Sequence, residues 1–307
     1  MKRAVTLLGP QRRPTVQQVV DDPASGGPVA TVTAGWQERE GDDAELGELL
    51  GGRTVNLRLH QRWQSILERD REYAVAEREH RAVLDELQEL YLVQLDHALR
   101  ATYTVARRQD GHPRTREAAL RDALTVVNSV DELHVARVRE VHAAFYDAWR
   151  PHERADVAEH RDDVRQLLET ASALVVAGGH VGVLVRVMHL FNIAPFVPAT
   201  IVAWSAGAMA LTERVVLFHD RAPHGPAQTE VFDEGLGLVK QMVLLPHARR
   251  RLRMDDRMRM SVLARRFAPA HCVVLDDGSR IDLADGALPE DARVVGSDGR
   301  ITELGSV

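Results

Sequence analysis

The sequence of 307 residues predicts a three-layer α/β fold with a mostly parallel sheet that is interrupted by a long helical insertion. Short apolar runs separated by Gly, Pro and Asp open the chain, an almost breaker-free helical pattern follows, and apolar runs then return. Hydrophobic residues make up 45% of the chain, enough to bury a substantial core. We therefore predict a first α/β part at 1–60, a helical insertion at 61–150 and a second α/β part at 151–307.

The first part contains three β-rich runs and one acidic helical pattern. The runs Ala4–Leu8, Val29–Thr33 and Thr54–Leu59 are short, apolar and bounded by turn-forming residues. The segment Asp42–Leu50 has helical spacing. These patterns predict three parallel strands with a helix before the third.

The insertion consists of two long helical patterns. From about Gln61 to Arg108 there is hardly a breaker, and apolar residues recur at helical spacing, which predicts one long helix or two nearly collinear ones. Gly111-His112-Pro113 interrupts the pattern, and a second one runs from about Thr115 to Trp149. The two segments predict an antiparallel hairpin, which can serve as an additional layer on the sheet, an active-site lid or an oligomerisation arm of a homodimer.

The second α/β part begins with a predicted helix and strand, which a glycine pair follows. A helix is predicted near Glu153–Thr170, followed by the strand Ala173–Ala177 and then Gly178-Gly179. Any close strand-to-helix turn would use such glycines, so the pair alone is weak evidence of function.

A serine between small residues follows the next strand. The apolar run at 199–203 leads directly into Trp204-Ser205-Ala206-Gly207-Ala208. At a sharp strand-to-helix turn, small neighbours such as Ala203 and Gly207 leave the serine Oγ clear of the backbone. The first N–H groups of the helix then point at a developing oxyanion. Ser205 is therefore the predicted nucleophile.

Four short blocks around this serine carry a family resemblance. They are Ala-Trp-Ser-Ala-Gly-Ala at 203–208, Phe-His-Asp at 218–220, Phe-Asp-Glu-Gly-Leu-Gly-Leu at 232–238 and Leu-Leu-Pro-His at 244–247. In order and spacing the chain resembles the aspartyl dipeptidase and cyanophycinase family of serine peptidases. The resemblance implies a flavodoxin-like fold of the class I glutamine amidotransferase type. The segments 273–278 and 298–301 resemble the closing β-hairpins of that family.

The resemblance also implies roles for particular residues. Ser205 would be the nucleophile, His247 the base and Asp220 the carboxylate that orients it, while the N–H groups of Gly179 and Ala206 would form the oxyanion hole. The nearby alternatives are two histidines and two carboxylates, namely His219, His224, Asp233 and Glu234.

Substrate contacts are less clearly marked. The family commonly has a polar side chain after the glycine pair; His180 fits this pattern and Val181 does not. Arg249 and Arg250 follow the predicted base and can hold substrate carboxylates, because guanidinium groups bind carboxylates bidentately. The alternative is that this basic cluster pairs with Asp255 and Asp256 on a solvated helix start.

Composition and motifs argue against several classes of partner. The net charge of −6 comes from interspersed charges without a basic stripe, which argues against nucleic acid. The uncharged stretch at 191–211 is interrupted by Asn, Pro and Ser, which argues against a membrane helix.

The single cysteine, Cys272, is predicted to be a buried strand residue. The short apolar run at Ala4–Leu8 is not typical of a signal peptide, so we expect a cytoplasmic protein. No zinc motif or dinucleotide fingerprint is present, so no metal or cofactor is expected.

Two hypotheses of function follow. In the first, the protein is a serine hydrolase that cleaves a peptide or amide bond in a small substrate through a Ser-His-Asp triad. In the second, the same scaffold has lost catalysis and acts as a binding or assembly module through its helical insertion. Three triad candidates in family order favour the enzyme, whereas the large insertion favours divergence.

Overall fold

The computed structural model describes residues 3–11, 16, 26–220 and 228–306. The strands in this part of the chain are β1 (Ala4–Leu8), β2 (Val29–Val32), β3 (Thr54–Asn56), β4 (Ala173–Val176), β5 (Thr200–Trp204), β6 (Arg214–Phe218), β7 (Thr229–Glu234), β8 (Met242–Pro246), β9 (His271–Leu275), β10 (Arg280–Leu283), β11 (Arg293–Val295) and β12 (Ile301–Glu303).

The α-helices of the described residues are α1 (Ala44–Leu49), α2 (Leu59–Arg69), α3 (Arg71–Arg107), α4 (Pro113–Trp149), α5 (Ala155–Thr170), α6 (Val181–Leu190), α7 (Ala206–Ala210), α8 (Ala248–Arg251) and α9 (Arg257–Phe267). Short 3₁₀ turns lie at Ala34–Arg39, Pro151–Glu153, Ala194–Phe196 and Leu304–Ser306.

The central sheet is mostly parallel. Its order is β10-β1-β5-β4-β2-β3, in which β10 alone runs antiparallel to its neighbour. Each of β1, β2, β4 and β5 is almost entirely buried, as expected for parallel strands that are covered on both faces. The fold is therefore α/β with a mostly parallel central sheet and a long helical pair.

A four-stranded sheet with the order β12-β11-β9-β8 and the two-stranded ribbon β6-β7 complete the β-structure of the described residues. The sequence predicts two closing hairpins, and one of these predictions is wrong. Strands β11 and β12 form a hairpin, but the turn after β9 leads to β10 in the other sheet. Strand β9 cannot pair with β10 because β8 and β11 occupy its two edges, while β10 pairs with β1.

The first helical pattern of the insertion forms two helices. The break lies at Asp70, whose side chain accepts a hydrogen bond from Tyr73 N at 3.0 Å and so caps α3. Helices α3 and α4 each contain 37 residues, about 55 Å at the rise of an α-helix. They pack against each other as the predicted antiparallel pair.

The helical pair is fastened to the rest of the molecule by a buried polar network. Arg266 on α9 donates to the Asp131 carboxylate on α4 at 2.6 and 2.7 Å, and to the Tyr91 hydroxyl on α3 at 3.1 Å. Tyr91 in turn accepts from Val231 N of β7 at 3.0 Å. These contacts join the hairpin to α9 and to the ribbon β6-β7, and its role as a layer on the sheet, an active-site lid or an oligomerisation arm stays a prediction.

Two further sequence expectations concern burial. Cys272 is buried in β9, as predicted. In the described ranges, none of the helices combines the length and apolar character that crossing a bilayer requires.

Candidate active site

Ser205 stands at the sharp turn between β5 and α7. Its backbone has φ 50° and ψ −120°, a conformation that is costly for a residue with a side chain. Its N–H donates to Leu8 O at 3.2 Å, and the residue is half-buried. A Cβ at Gly207 would lie 2.4 Å from Val176 O, so α7 approaches β4 as closely as it does only because this residue is glycine.

The glycine pair after β4 lies against Ser205. A Cβ at Gly178 would be 3.1 Å from the Ser205 Cβ. Gly179 has φ 128°, and a Cβ there would be 2.3 Å from Gly35 O, so both the backbone angle and the space require glycine. Within the described residues, neither glycine donates a hydrogen bond from its N–H. Gly179 is exposed, and Ala206 begins α7 with a first-turn N–H that has no partner inside its helix.

His247 follows β8 in a left-handed conformation, with φ 55° and ψ 33°. Its N–H donates to Leu275 O at 3.1 Å, and the residue is half-buried. A Cβ at Gly9 would lie 1.9 Å from Asp276 O, which places the end of β1 against the end of β9. Because Ser205 N bonds to Leu8 O, the ends of β1, β5, β8 and β9 meet, and Ser205 and His247 lie at the same edge of the molecule.

Asp220 is buried next to the turn that carries His247. Its N–H donates to Arg251 O at 2.8 Å, and its carboxylate accepts from Arg253 N at 3.1 Å. Arg259 binds both carboxylate oxygens, with Nε 2.8 Å from Oδ2. Burial acts to lower the pKa of Arg259, but the Asp220 carboxylate outweighs it and the pKa is raised. A carboxylate offers about four lone-pair sites, so these three donors leave room for another.

The alternative catalytic residues are dispersed. Asp233 Oδ1 lies 3.4 Å from His142 Nε2, and Glu234 is bound by Arg139, so both carboxylates face the helical pair. His219 is exposed directly before Asp220. His224 lies outside the described residues.

The predicted substrate contacts have local structural partners. His180 caps α6, its Nδ1 accepting from Val183 N at 3.2 Å, and it is exposed beside Gly179. Arg249 Nε lies 3.4 Å from Asp276 Oδ2 rather than pairing with Asp255 or Asp256. Arg250 is exposed, and its N–H donates to His247 O at 2.9 Å.

Sequence reasoning missed one carboxylate at this edge. Asp276 directly follows Leu275, the hydrogen-bond partner of His247, and it is 8% exposed. Its Oδ1 accepts from Arg249 N at 3.1 Å, while its Oδ2 accepts no hydrogen bond from the described residues. The pair Asp276-Asp277 after an apolar strand is the available signal, but its sequence pattern also predicts a hairpin turn.

The arrangement of possible metal ligands is defined in the described ranges of the chain, 3–11, 16, 26–220 and 228–306. There, no group of three or more His, Cys, Asp or Glu side chains is arranged to hold an ion. Among the described residues, the candidate site contains a strained serine, a histidine at the same edge, nearby carboxylates, and glycine N–H groups that donate no hydrogen bond.

Comparison with known proteins adds little to this description. No protein-family model matches the chain, and no curated protein matches it. The crystal structure of a peptidase from an acI-B1 Actinobacterium is similar, with a TM-score of 0.43 and 12% identity. The match covers 96% of this chain and 88% of that chain. A likeness at this level is too weak to assign a family or an activity.

Proposed function

We propose that the protein is a serine hydrolase that cleaves a peptide or amide bond through Ser205. The observation that carries the proposal is the backbone of Ser205 at φ 50° and ψ −120°. A strained conformation of this kind costs about 1–3 kcal/mol and persists only where the surroundings impose it. Here Gly178 and Gly207 make the space for it.

In the proposed reaction, Ser205 Oγ attacks the substrate carbonyl and His247 takes the hydroxyl proton. The N–H groups of Gly179 and Ala206 stabilise the oxyanion. His247 then gives the proton to the leaving amine, and an ester between Ser205 and the acyl group remains. Water hydrolyses this ester with His247 again as the base, which regenerates the serine. Asp220 orients His247 in this scheme.

The finer assignments are proposals as well. Counted from β2, the strand order β3-β2-β4-β5 matches the first four positions of the doubly wound order 2-1-3-4-5, while β1 lies at the fifth position. This partial match supports the proposal of a flavodoxin-like arrangement of the class I glutamine amidotransferase type. We also propose the division at 1–60, 61–150 and 151–307, which is based on the sequence pattern, and the aspartyl dipeptidase and cyanophycinase family, which is based on the residue blocks around Ser205. Short peptides with acidic groups are the proposed substrates, with Arg249 and Arg250 as carboxylate contacts, and the cytoplasm is the proposed location.

Reaction with a fluorophosphonate tests the nucleophile without knowledge of the substrate. We expect the intact protein to gain the mass of one adduct, and Ser205→Ala to gain none. Ser129→Ala is the matched control, because Ser129 is exposed on α4, and it should react like the wild type. Absence of an adduct on folded wild-type protein, or an adduct that survives in Ser205→Ala, would contradict the proposal.

The labelling rate also distinguishes the two carboxylates near His247. If Asp220 orients the base, Asp220→Asn slows labelling by at least about a hundredfold, since the same change in a catalytic triad costs about 10⁴-fold in turnover. Asp276→Asn should then have a small effect. The reverse order would transfer the role to Asp276, whose Oδ2 accepts no hydrogen bond from the described residues.

One observation favours the alternative, a scaffold without catalysis that acts as a binding module. Asp220 is held by Arg259 and Arg253, which is the arrangement of a structural carboxylate. Failure of labelling on folded protein would support this alternative.

A further inference from the structure

A cavity of about 480 Å³ lies between the helical pair and helix α6, on the side of α6 that carries Gly182, Val185, Arg186 and His189. Its other walls come from α2, α3, α4 and the end of β7. The proposed nucleophile, base and carboxylate are not among the described residues that line it. The cavity is therefore separate from the proposed catalytic residues and is formed in part by the insertion.

The cavity contains more positive charge than its nearest carboxylate neutralises. Glu77 is buried and pairs with Arg81 at 2.9 Å, while Arg186 lies 3.9 Å from the same carboxylate. A single carboxylate, that of Glu77, therefore lies close to two guanidinium groups. Arg161 donates to Leu190 O at 2.6 Å and to the Tyr146 hydroxyl at 2.7 Å, both of them neutral acceptors.

Three further carboxylates belong to the cavity wall, and two of them, Asp85 and Asp233, act electrostatically on Arg186. Asp233 accepts from Glu234 N at 2.7 Å and lies 3.4 Å from His142. Glu234 is bound by Arg139 at 2.7 Å, and Asp85 is exposed. Among the described residues of the wall, Arg186 and Arg161 have no carboxylate closer than 3.9 Å, so they are the guanidinium groups that can bind an added anion.

Flat side chains and unpaired polar atoms line the same space. His80 stacks on Phe145 with ring centroids 4.2 Å apart, and its edge faces His142 at 5.0 Å. Burial lowers the pKa of His80 to about 4, so at neutral pH its ring is uncharged. Within the described residues, His80 Nε2 and Trp63 Nε1 are buried without a hydrogen-bond partner. Arg186 lies over the Trp63 ring at 5.5 Å.

We propose that this cavity binds a small organic anion with a flat apolar body, and that Arg186 anchors its negative group. The volume lies within the range of about 300–1,000 Å³ that is usual for small-molecule sites. The apolar body would lie among the rings of Phe145, His80 and Phe232, and the unpaired Trp63 Nε1–H can donate to a ligand acceptor. The inference does not depend on the chemistry of Ser205, so Ser205→Ala should bind the ligand as the wild type does.

Two fluorescent probes that differ by one anionic group test the proposal. They are 1-anilinonaphthalene-8-sulfonate and its neutral counterpart N-phenyl-1-naphthylamine. We expect one saturable site for the sulfonate, and at least about tenfold weaker binding of the neutral probe, because a charge-assisted hydrogen bond contributes about 1.5–3 kcal/mol. Arg186→Met should weaken the sulfonate by at least about tenfold and change the neutral probe by less than about threefold. Arg137→Met, an exposed arginine of α4, is the control and should change neither.

Two further variants separate the cavity from the outer surface. Leu84→Trp fills the cavity from α3 and should remove binding of both probes, with folding checked by circular dichroism. Leu133 is an exposed apolar residue of α4 at 53% exposure, and Leu133→Gln should have no effect. Sulfonate binding that is unchanged in both Arg186→Met and Leu84→Trp, or that is lost in Leu133→Gln, would overturn the proposal. Competition by 1-naphthoate and by 1-naphthyl phosphate then distinguishes a carboxylate ligand from a phosphate ligand.

Discussion

Removing either charge of the Asp131–Arg266 pair should destabilise the protein strongly. The two side chains are 4% and 2% exposed, so neither can be rehydrated without opening the contact between α4 and α9. Arg266 also donates to Thr229 O at 2.7 Å and to the Tyr91 hydroxyl at 3.1 Å. Burial acts to lower the pKa of Arg266, but Asp131 outweighs it and the pKa is raised, so the guanidinium stays charged.

The magnitude follows from this burial. Breaking a buried ion pair by removing one partner costs about 3–5 kcal/mol, because an uncompensated charge is left behind. We expect that loss of unfolding free energy for Asp131→Asn and also for Arg266→Met. The double variant leaves no uncompensated charge, so it should lose about as much as one single variant, which corresponds to a coupling energy of about 3 kcal/mol or more.

Urea denaturation followed by circular dichroism measures these free energies. The matched control is the neighbouring pair of Arg265 and Glu117, which joins the same two helices at 2.8 Å but is 28% and 50% exposed. Its coupling energy should stay below about 1 kcal/mol. If the Asp131 and Arg266 effects add to within about 0.5 kcal/mol, the network does not fasten the helical pair in the way that the contacts indicate.

Three further outcomes are expected. The pKa of His80 in the folded protein, about 4, lies below the ordinary 6.5, so the unfolded chain binds the proton at a higher pH than the folded protein does. The free energy of unfolding should therefore fall by about 2 kcal/mol between about pH 7 and pH 5. In urea denaturation, His80→Phe should lack this His80-dependent loss. Gly207→Ala, whose Cβ would lie 2.4 Å from Val176 O, should lose at least about 1–3 kcal/mol in the same assay, whereas Gly26→Ala in open space should stay within about 0.5 kcal/mol. Burial raises the pKa of the Cys272 thiol to about 12, so iodoacetamide should modify it only after unfolding; rapid modification of native protein would contradict its burial.

The parts of the fold that depend on local pattern could be predicted from the sequence. The apolar runs at 4–8, 29–32 and 173–176 each became a buried strand, and Asp70 divides the first helical pattern where it can cap the helix that follows. What a strand pairs with is not local. The turn after β9 has hairpin residues, yet β10 pairs with β1, because the partner of β10 lies almost the whole length of the chain away.

The same distinction between local and non-local structure applies to the candidate active site. The turn at Ser205 could be predicted because small residues in a fixed order determine its backbone. The role of Asp220 remains a prediction, and its pairing with Arg259 could not be anticipated, since the two are 39 residues apart and belong to different elements. The sequence does contain a signal for Arg186, because this residue is a single charge in the apolar helix Val181–Leu190.

The charge of Arg186 in this apolar helix has to be considered together with the helical pair that lies beside it. An arginine on an otherwise apolar helix costs free energy to bury unless something compensates its charge. Here Glu77 on α3 compensates it only in part, at 3.9 Å, because Arg81 lies closer to the same carboxylate. The side chain of Arg186 is 34% exposed, so the insertion covers it only in part. A guanidinium that is only partly covered and only partly paired can still bind an anion in the cavity, as the proposed site requires.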